Sequence, residues 1–179
     1  MIRSLVMIRS LVVGALAAAF ITPAIAHVTL ESQEAKVGGG YKAVLRVPHG
    51  CGGTATISIR VKVPEGLIGV KPMPKPGWTL TTTIGKYPKT YKLFHAELNE
   101  GVTEIGWSGG KLPDEWYDEF VFTGFLSGDL PADKKLYFPV VQDCEKGVHR
   151  WIEIPAADKS RADYPEPAPE LKLLPATAR

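Results

Sequence analysis

Ala55-Thr56-Ile57-Ser58-Ile59-Arg60-Val61-Lys62-Val63 alternates apolar and polar side chains without a break. Successive side chains of a strand point to opposite faces. Ala55, Ile57, Ile59, Val61 and Val63 are therefore expected to line a core while Thr56, Ser58, Arg60 and Lys62 meet water. One-sided burial of this kind belongs to antiparallel sheets. Outward from this stretch, similar short runs occur at Tyr41–Val47, Trp78–Ile84, Tyr91–Leu98, Val102–Trp107, Glu119–Leu126, Leu136–Val141 and His149–Ile154. Turn-forming clusters separate them: Gly38-Gly39-Gly40, Pro48-His49-Gly50, Pro64-Glu65-Gly66, Pro74-Lys75-Pro76-Gly77, Gly109-Gly110 and Glu145-Lys146-Gly147. Strands at this spacing predict a single all-β domain, a β-sandwich with Greek-key connections. The one helical candidate is a single turn around Pro113–Tyr117. Trp78, Trp107, Trp116 and Trp151 read most simply as core.

Composition narrows the function classes. The chain has 179 residues, 45% hydrophobic and 22% charged, which excludes bulk disorder and suits one domain. A formal charge of +2 gives no support for nucleic-acid binding. Residues 1–26 have the form of a cleaved secretory signal: Arg3 and Arg9, then the apolar run Leu11–Ile21, a break at Pro23, and Ala24-Ile25-Ala26 as the small-residue site. The run is too short to span a bilayer comfortably, and no later segment is apolar enough to do so. Two of the 21 basic residues lie in this leader and none of the 19 acidic ones, so the chain from His27 onward is formally neutral.

The segment 158–179 differs from the 27–157 domain. Pro165, Pro167, Pro169 and Pro175 interrupt it, which argues against a central strand or a helix. Two readings stand: an extended segment laid along the sandwich with Leu171, Leu173 and Leu174 as anchors, or partial disorder. Cys51 and Cys144 lack a CxxC pattern, and in an exported chain such a pair reads as a disulfide. Closing a loop of about 90 residues would stabilise the fold by about 4–5 kcal/mol in the chain-entropy model.

Cleavage after Ala26 would leave His27 with a free α-amine. That nitrogen and the imidazole Nδ1 can chelate one ion in a six-membered ring, and both lose protons near neutrality. Nitrogen donors of this kind favour Cu(II). Glu31 and Glu34 are the nearby carboxylates. Glu34 is seven residues on, so in a straight strand it would lie over ~20 Å away on the opposite face. Ligation requires a bend, with Ser32-Gln33 as the place for it. His49, His95 and His149 have no spacing that demands a metal and read as surface or strand histidines. A Trp could wall a metal site, because its face stabilises a cation and its bulk blocks a coordination position.

The segments HVTLESQEAKVG, KAVLRVPHGC, PEGLIGVKPMPKPGW, TEIGWSGGKLPDEWYDEFVF, LYFPVVQDCEKGVHRWIEIP and APELKLLP together resemble the YcnI-like family of exported copper-binding proteins. The resemblance implies an immunoglobulin- or cupredoxin-like β-sandwich. It also implies a mononuclear Cu(II) site of the monohistidine-brace type, formed by the amine and imidazole of His27 and the carboxylate of Glu34, beside Trp151. Family members often carry Pro in the bend before that Glu. Ser32-Gln33 stand there in this chain, which keeps Glu31 in contention. The chain lacks the C-terminal anchor of some members, which implies a free periplasmic form.

The expected function is therefore a periplasmic Cu(II)-binding protein, not an enzyme, that sequesters copper or exchanges it with other periplasmic copper-handling proteins. Two rivals are a copper-dependent oxidoreductase of the polysaccharide monooxygenase type and a protein-interaction module with incidental copper binding. The absence of a well-spaced second His ligand counts against the first rival.

Overall fold

The computed structural model describes residues 27–176; the expected leader, residues 1–26, and residues 177–179 lie outside the described residues. The chain runs through β1 (Thr29–Leu30), β2 (Glu34–Lys36), β3 (Gly40–Val47), β4 (Thr56–Lys62), β5 (Leu67–Pro72) and β6 (Thr79–Leu93). It continues through β7 (Ala96–Leu112), β8 (Asp118–Leu126), β9 (Lys135–Tyr137), β10 (Val140–Cys144), β11 (Val148–Trp151) and β12 (Glu170–Leu174). A four-stranded sheet has the order β1-β3-β8-β5, and a five-stranded sheet the order β11-β10-β4-β7-β6. Between them lie Leu45, Phe120 and Phe122 from the first and Ile59, Val61, Ile105, Trp107 and Val140 from the second, all buried in one core. Each such side chain contributes about 1.5–3 kcal/mol through loss of contact with water. The expected all-β sandwich is the fold.

The alternating run forms β4, with one irregularity. Ile59 and Val61 are buried and Arg60 and Lys62 exposed, as expected. At Thr56–Ser58 the pairing with β7 and with β10 shifts register. A bulge reverses which side chain faces inward, so Thr56 is fully buried and Ile57 only half-buried. The bulge lies beside the disulfide, where Cys144 pairs with Thr56.

Three further expectations need correction. The run Tyr91–Leu98 is not one strand: it contains the turn of the long β6–β7 hairpin, with Phe94 at φ 55°. Leu136–Val141 is divided between β9 and β10 by Phe138-Pro139. Trp116 is not core but 65% exposed, in the turn Trp116 N–H closes onto Pro113 O, and Trp78 is half-buried against Phe120. Trp107 and Trp151 are buried as expected.

Of the two readings of the proline-rich tail, the extended segment anchored by leucines holds, while the argument against a central strand does not. Its residues Glu170–Leu174 form the middle strand of a third sheet, β2-β12-β9, parallel to β2 and antiparallel to β9. Pro169 and Pro175 stand immediately outside this strand, so no proline occupies a ladder position within it. Leu171 and Leu173 are fully buried in the common core, whereas Leu174 is only partly so. As far as residue 176 the tail packs into the same core as residues 27–157.

Candidate metal centre

β10 and β11 form a hairpin in which Val140 pairs with Trp151 and Gln142 with His149. His149 and Trp151 are two residues apart and share a face of β11. Their rings stack with centroids 4.8 Å apart at 28°. Beneath them, the buried amide of Gln142 joins three elements. Its Oε1 accepts from Trp151 Nε1–H at 2.9 Å, and its Nε2 donates to His49 O at 2.7 Å and to Thr56 Oγ1 at 2.8 Å. A buried amide satisfied on both ends fixes orientation. The indole of Trp151 is therefore held at its polar edge and packed at its face.

His27 lies two residues before β1 and against this indole, with ring centroids 5.4 Å apart and planes at 81°. Its Nε2 is 3.2 Å from Pro165 O. A carbonyl only accepts, so Nε2 carries a proton, and in the neutral ring Nδ1 is then the nitrogen with the lone pair. Nδ1 is the ring nitrogen that can close a chelate with the residue's own α-nitrogen. A backbone carbonyl on the remote nitrogen is a usual way of orienting a ligating imidazole. Pro165 belongs to the tail, which runs beside the 27–37 segment. Lys172 N–H donates to Gln33 O, and Val37 N–H donates to Leu174 O.

The bend expected between His27 and Glu34 falls at Glu31, and the strands on either side of it enter different sheets. β1 pairs with β3 in the four-stranded sheet, whereas β2 joins the third sheet. Glu34 pairs there with Lys172, whose Nζ donates to its Oε1 at 3.0 Å, and both side chains are about half exposed. Glu31 is exposed, and its N–H bonds to Val44 O. The structure thus brings His27 and Trp151 together and engages Glu34 with a lysine. Among the described residues, no three His, Cys, Asp or Glu side chains are grouped to hold a metal ion. The His27 reading relies on a backbone nitrogen that leader cleavage would free.

Cys51 and Cys144 form the expected disulfide, with Cα atoms 5.9 Å apart. It brings the Pro48-His49-Gly50-Cys51 turn to the end of β10. Cys51 and Thr54 close on each other through two backbone hydrogen bonds. A Cβ on Gly50 would collide with Thr54 O, so only glycine fits. His49 then meets His149, with ring centroids 6.2 Å apart. His149 Nδ1 is 2.7 Å from Glu166 Oε1, while Glu166 Oε2 accepts from Arg150 N–H at 2.9 Å. Glu166 N–H in turn donates to Glu153 Oε2 at 2.7 Å. The sequence reading left His49, His149, Gln142 and Glu166 without a role at this site. The available clue was the disulfide: His49 is two residues before one cysteine and His149 five after the other, across the Glu145-Lys146-Gly147 turn.

A family model described as a domain of unknown function, DUF1775, matches residues 27–173. A solved structure of an uncharacterized protein from Nocardia farcinica, described as having an immunoglobulin-like fold, is similar to the chain with a TM-score of 0.59. The two are 27% identical, and the match covers 83% of this chain and 98% of that one. No curated protein matches the sequence.

Proposed function

The chain belongs to the DUF1775 family, and from that premise we propose that it is an exported Cu(II)-binding protein of sequestration or delivery, not an enzyme. Copper is its cargo. The proposed donors are the α-amine and Nδ1 of His27, with a carboxylate, and with Trp151 covering one side. The observation that carries this reading is the contact of His27 Nε2 with Pro165 O, which in the neutral ring makes Nδ1 the nitrogen able to chelate together with the α-amine. The disulfide supports an oxidising compartment, the periplasm in this reading. A site of nitrogen and oxygen donors without thiolate or thioether favours the cupric ion, so reduction would promote release. The indole limits approach from its side, which suits holding a metal more than opening it to a substrate.

Lys172 holds Glu34 through Oε1 and competes with a metal for it, whereas Glu31 forms no ion pair among the described residues. Glu31→Gln and Glu34→Gln, measured separately, decide between them: the variant that loses affinity identifies the ligand. The reading as a whole is tested by titrating Cu(II) into the chain beginning at His27 and into the same chain acetylated at its α-amine. Loss of the tight equivalent in the acetylated chain is the expected result. Equal affinity in both rejects the chelate.

A further inference from the structure

We propose that His49 and His149 form a second metal site, separate from His27, that takes a first-row divalent ion such as Zn(II) through their two Nε2 atoms, with water completing the coordination. This inference is independent of leader cleavage, because it uses side chains alone.

Both rings have their Nδ1 committed to an atom that can only accept. His49 Nδ1–H donates to Gly50 O at 2.6 Å, and His149 Nδ1–H donates to Glu166 Oε1 at 2.7 Å. In its neutral form each imidazole is therefore set in the tautomer whose Nε2 carries the lone pair. A ligating histidine commonly donates its other N–H to a carbonyl or a carboxylate, and here one ring has each. Glu166 is itself fixed by Arg150 N–H, and its own N–H is held by Glu153. His49 is anchored through its carbonyl to Gln142 and by the neighbouring disulfide.

The spacing fits a shared ion. With Zn–N near 2.0–2.1 Å, two imidazole centroids around one ion are about 6.4 Å apart in a linear arrangement and about 5.2 Å at a tetrahedral angle. The observed separation is 6.2 Å, with ring planes at 83°. A shared tetrahedral ion needs the centroids about 1 Å closer and both Nε2 atoms turned towards it, an adjustment that falls to two half-buried side chains. Imidazole nitrogen suits zinc and copper alike. Because His149 stacks on Trp151, and His27 meets the same indole, an ion here would lie one aromatic ring away from the proposed copper donors.

The test uses the chain beginning at Ala26, in which the His27 chelate cannot form, with Zn(II) as the probe. Calorimetry should give one equivalent bound. Imidazole resonances of His49 and His149 should shift together, while that of His95, exposed at the β6–β7 turn, stays in place. His49→Gln and His149→Gln should each weaken binding at least tenfold, and Glu166→Gln by about tenfold through loss of tautomer control. Thermal unfolding of each variant checks its fold, and His49→Gln decides the matter if His149→Gln is disrupted by loss of its stack on Trp151. Absence of Zn(II) binding, or unchanged binding in a folded His49→Gln variant, overturns the proposal. Neither result bears on copper at His27, which is measured on the chain that begins there.

Discussion

Replacing Gln142 by methionine should lower stability more than any exposed change near the site. The side chain is 1% exposed and makes three hydrogen bonds, to Trp151 Nε1–H, His49 O and Thr56 Oγ1. Methionine has a similar length and no strong donor, so packing is largely kept while all three bonds are lost. At about 1 kcal/mol net for each bond, the loss is roughly 3 kcal/mol. The unpaired indole N–H adds to this, and relief from burying an amide offsets part of it. For a chain of this size each kcal/mol lowers Tm by about 2–4 °C, so a fall of about 6–12 °C is expected. Thermal unfolding followed by near-ultraviolet circular dichroism measures both the midpoint and the packing of Trp151. A midpoint within about 2 °C of wild type, with an unchanged aromatic signal, would refute the role of Gln142 as the anchor beneath the site.

Other outcomes follow from single features. Removing the disulfide by Cys51→Ser with Cys144→Ser should cost about 4–5 kcal/mol, since the bridge spans 93 residues, and a urea midpoint measures the loss. Leu173→Ala, in the tail but fully buried, should cost about 2–5 kcal/mol; a change near zero would contradict the tail's place in the core. Glu34→Gln removes an exposed ion pair with Lys172 and should change stability by less than about 1 kcal/mol. Burial, and then the hydrogen bond it donates to the Glu65 carboxylate, push the Tyr91 hydroxyl up from 10.0 to about 12. The folded chain then holds this proton where the unfolded chain has lost it. Stability is intact below pH 10 and declines as pH rises towards 12, and Tyr91→Phe should flatten that part of a urea-midpoint profile against pH.

The strand pattern was legible wherever alternation was continuous, as in Ile59–Val63. It failed where one residue changed the geometry. The bulge at Ile57 has no marker in sequence, because its neighbours alternate as in any strand. The hairpin tip at Phe94-His95 lacks Gly, Pro, Asn and Asp, so nothing local announces the positive φ that Phe94 adopts. The tail prolines were weighed by number, whereas their position mattered: Pro169 and Pro175 flank β12 and leave its five ladder residues free of proline. At the site, the leader pattern pointed to His27 and the family resemblance to Trp151, and the two rings meet. Pro165 had no signal in sequence, because it contributes through its backbone carbonyl. Nor did the pairing of His49 with His149, which depends on the disulfide and the β10–β11 register together.

In the proposed site copper is bound through His27 once residues 1–26 are removed. Electron paramagnetic resonance of the Cu(II)-loaded chain beginning at His27, with and without nitrogen-15 histidine labelling, should show two directly bound nitrogens whose hyperfine splittings both change on labelling. That spectrum should be lost when the chain begins at Ala26, and an identical spectrum from the two chains would rule out the His27 chelate.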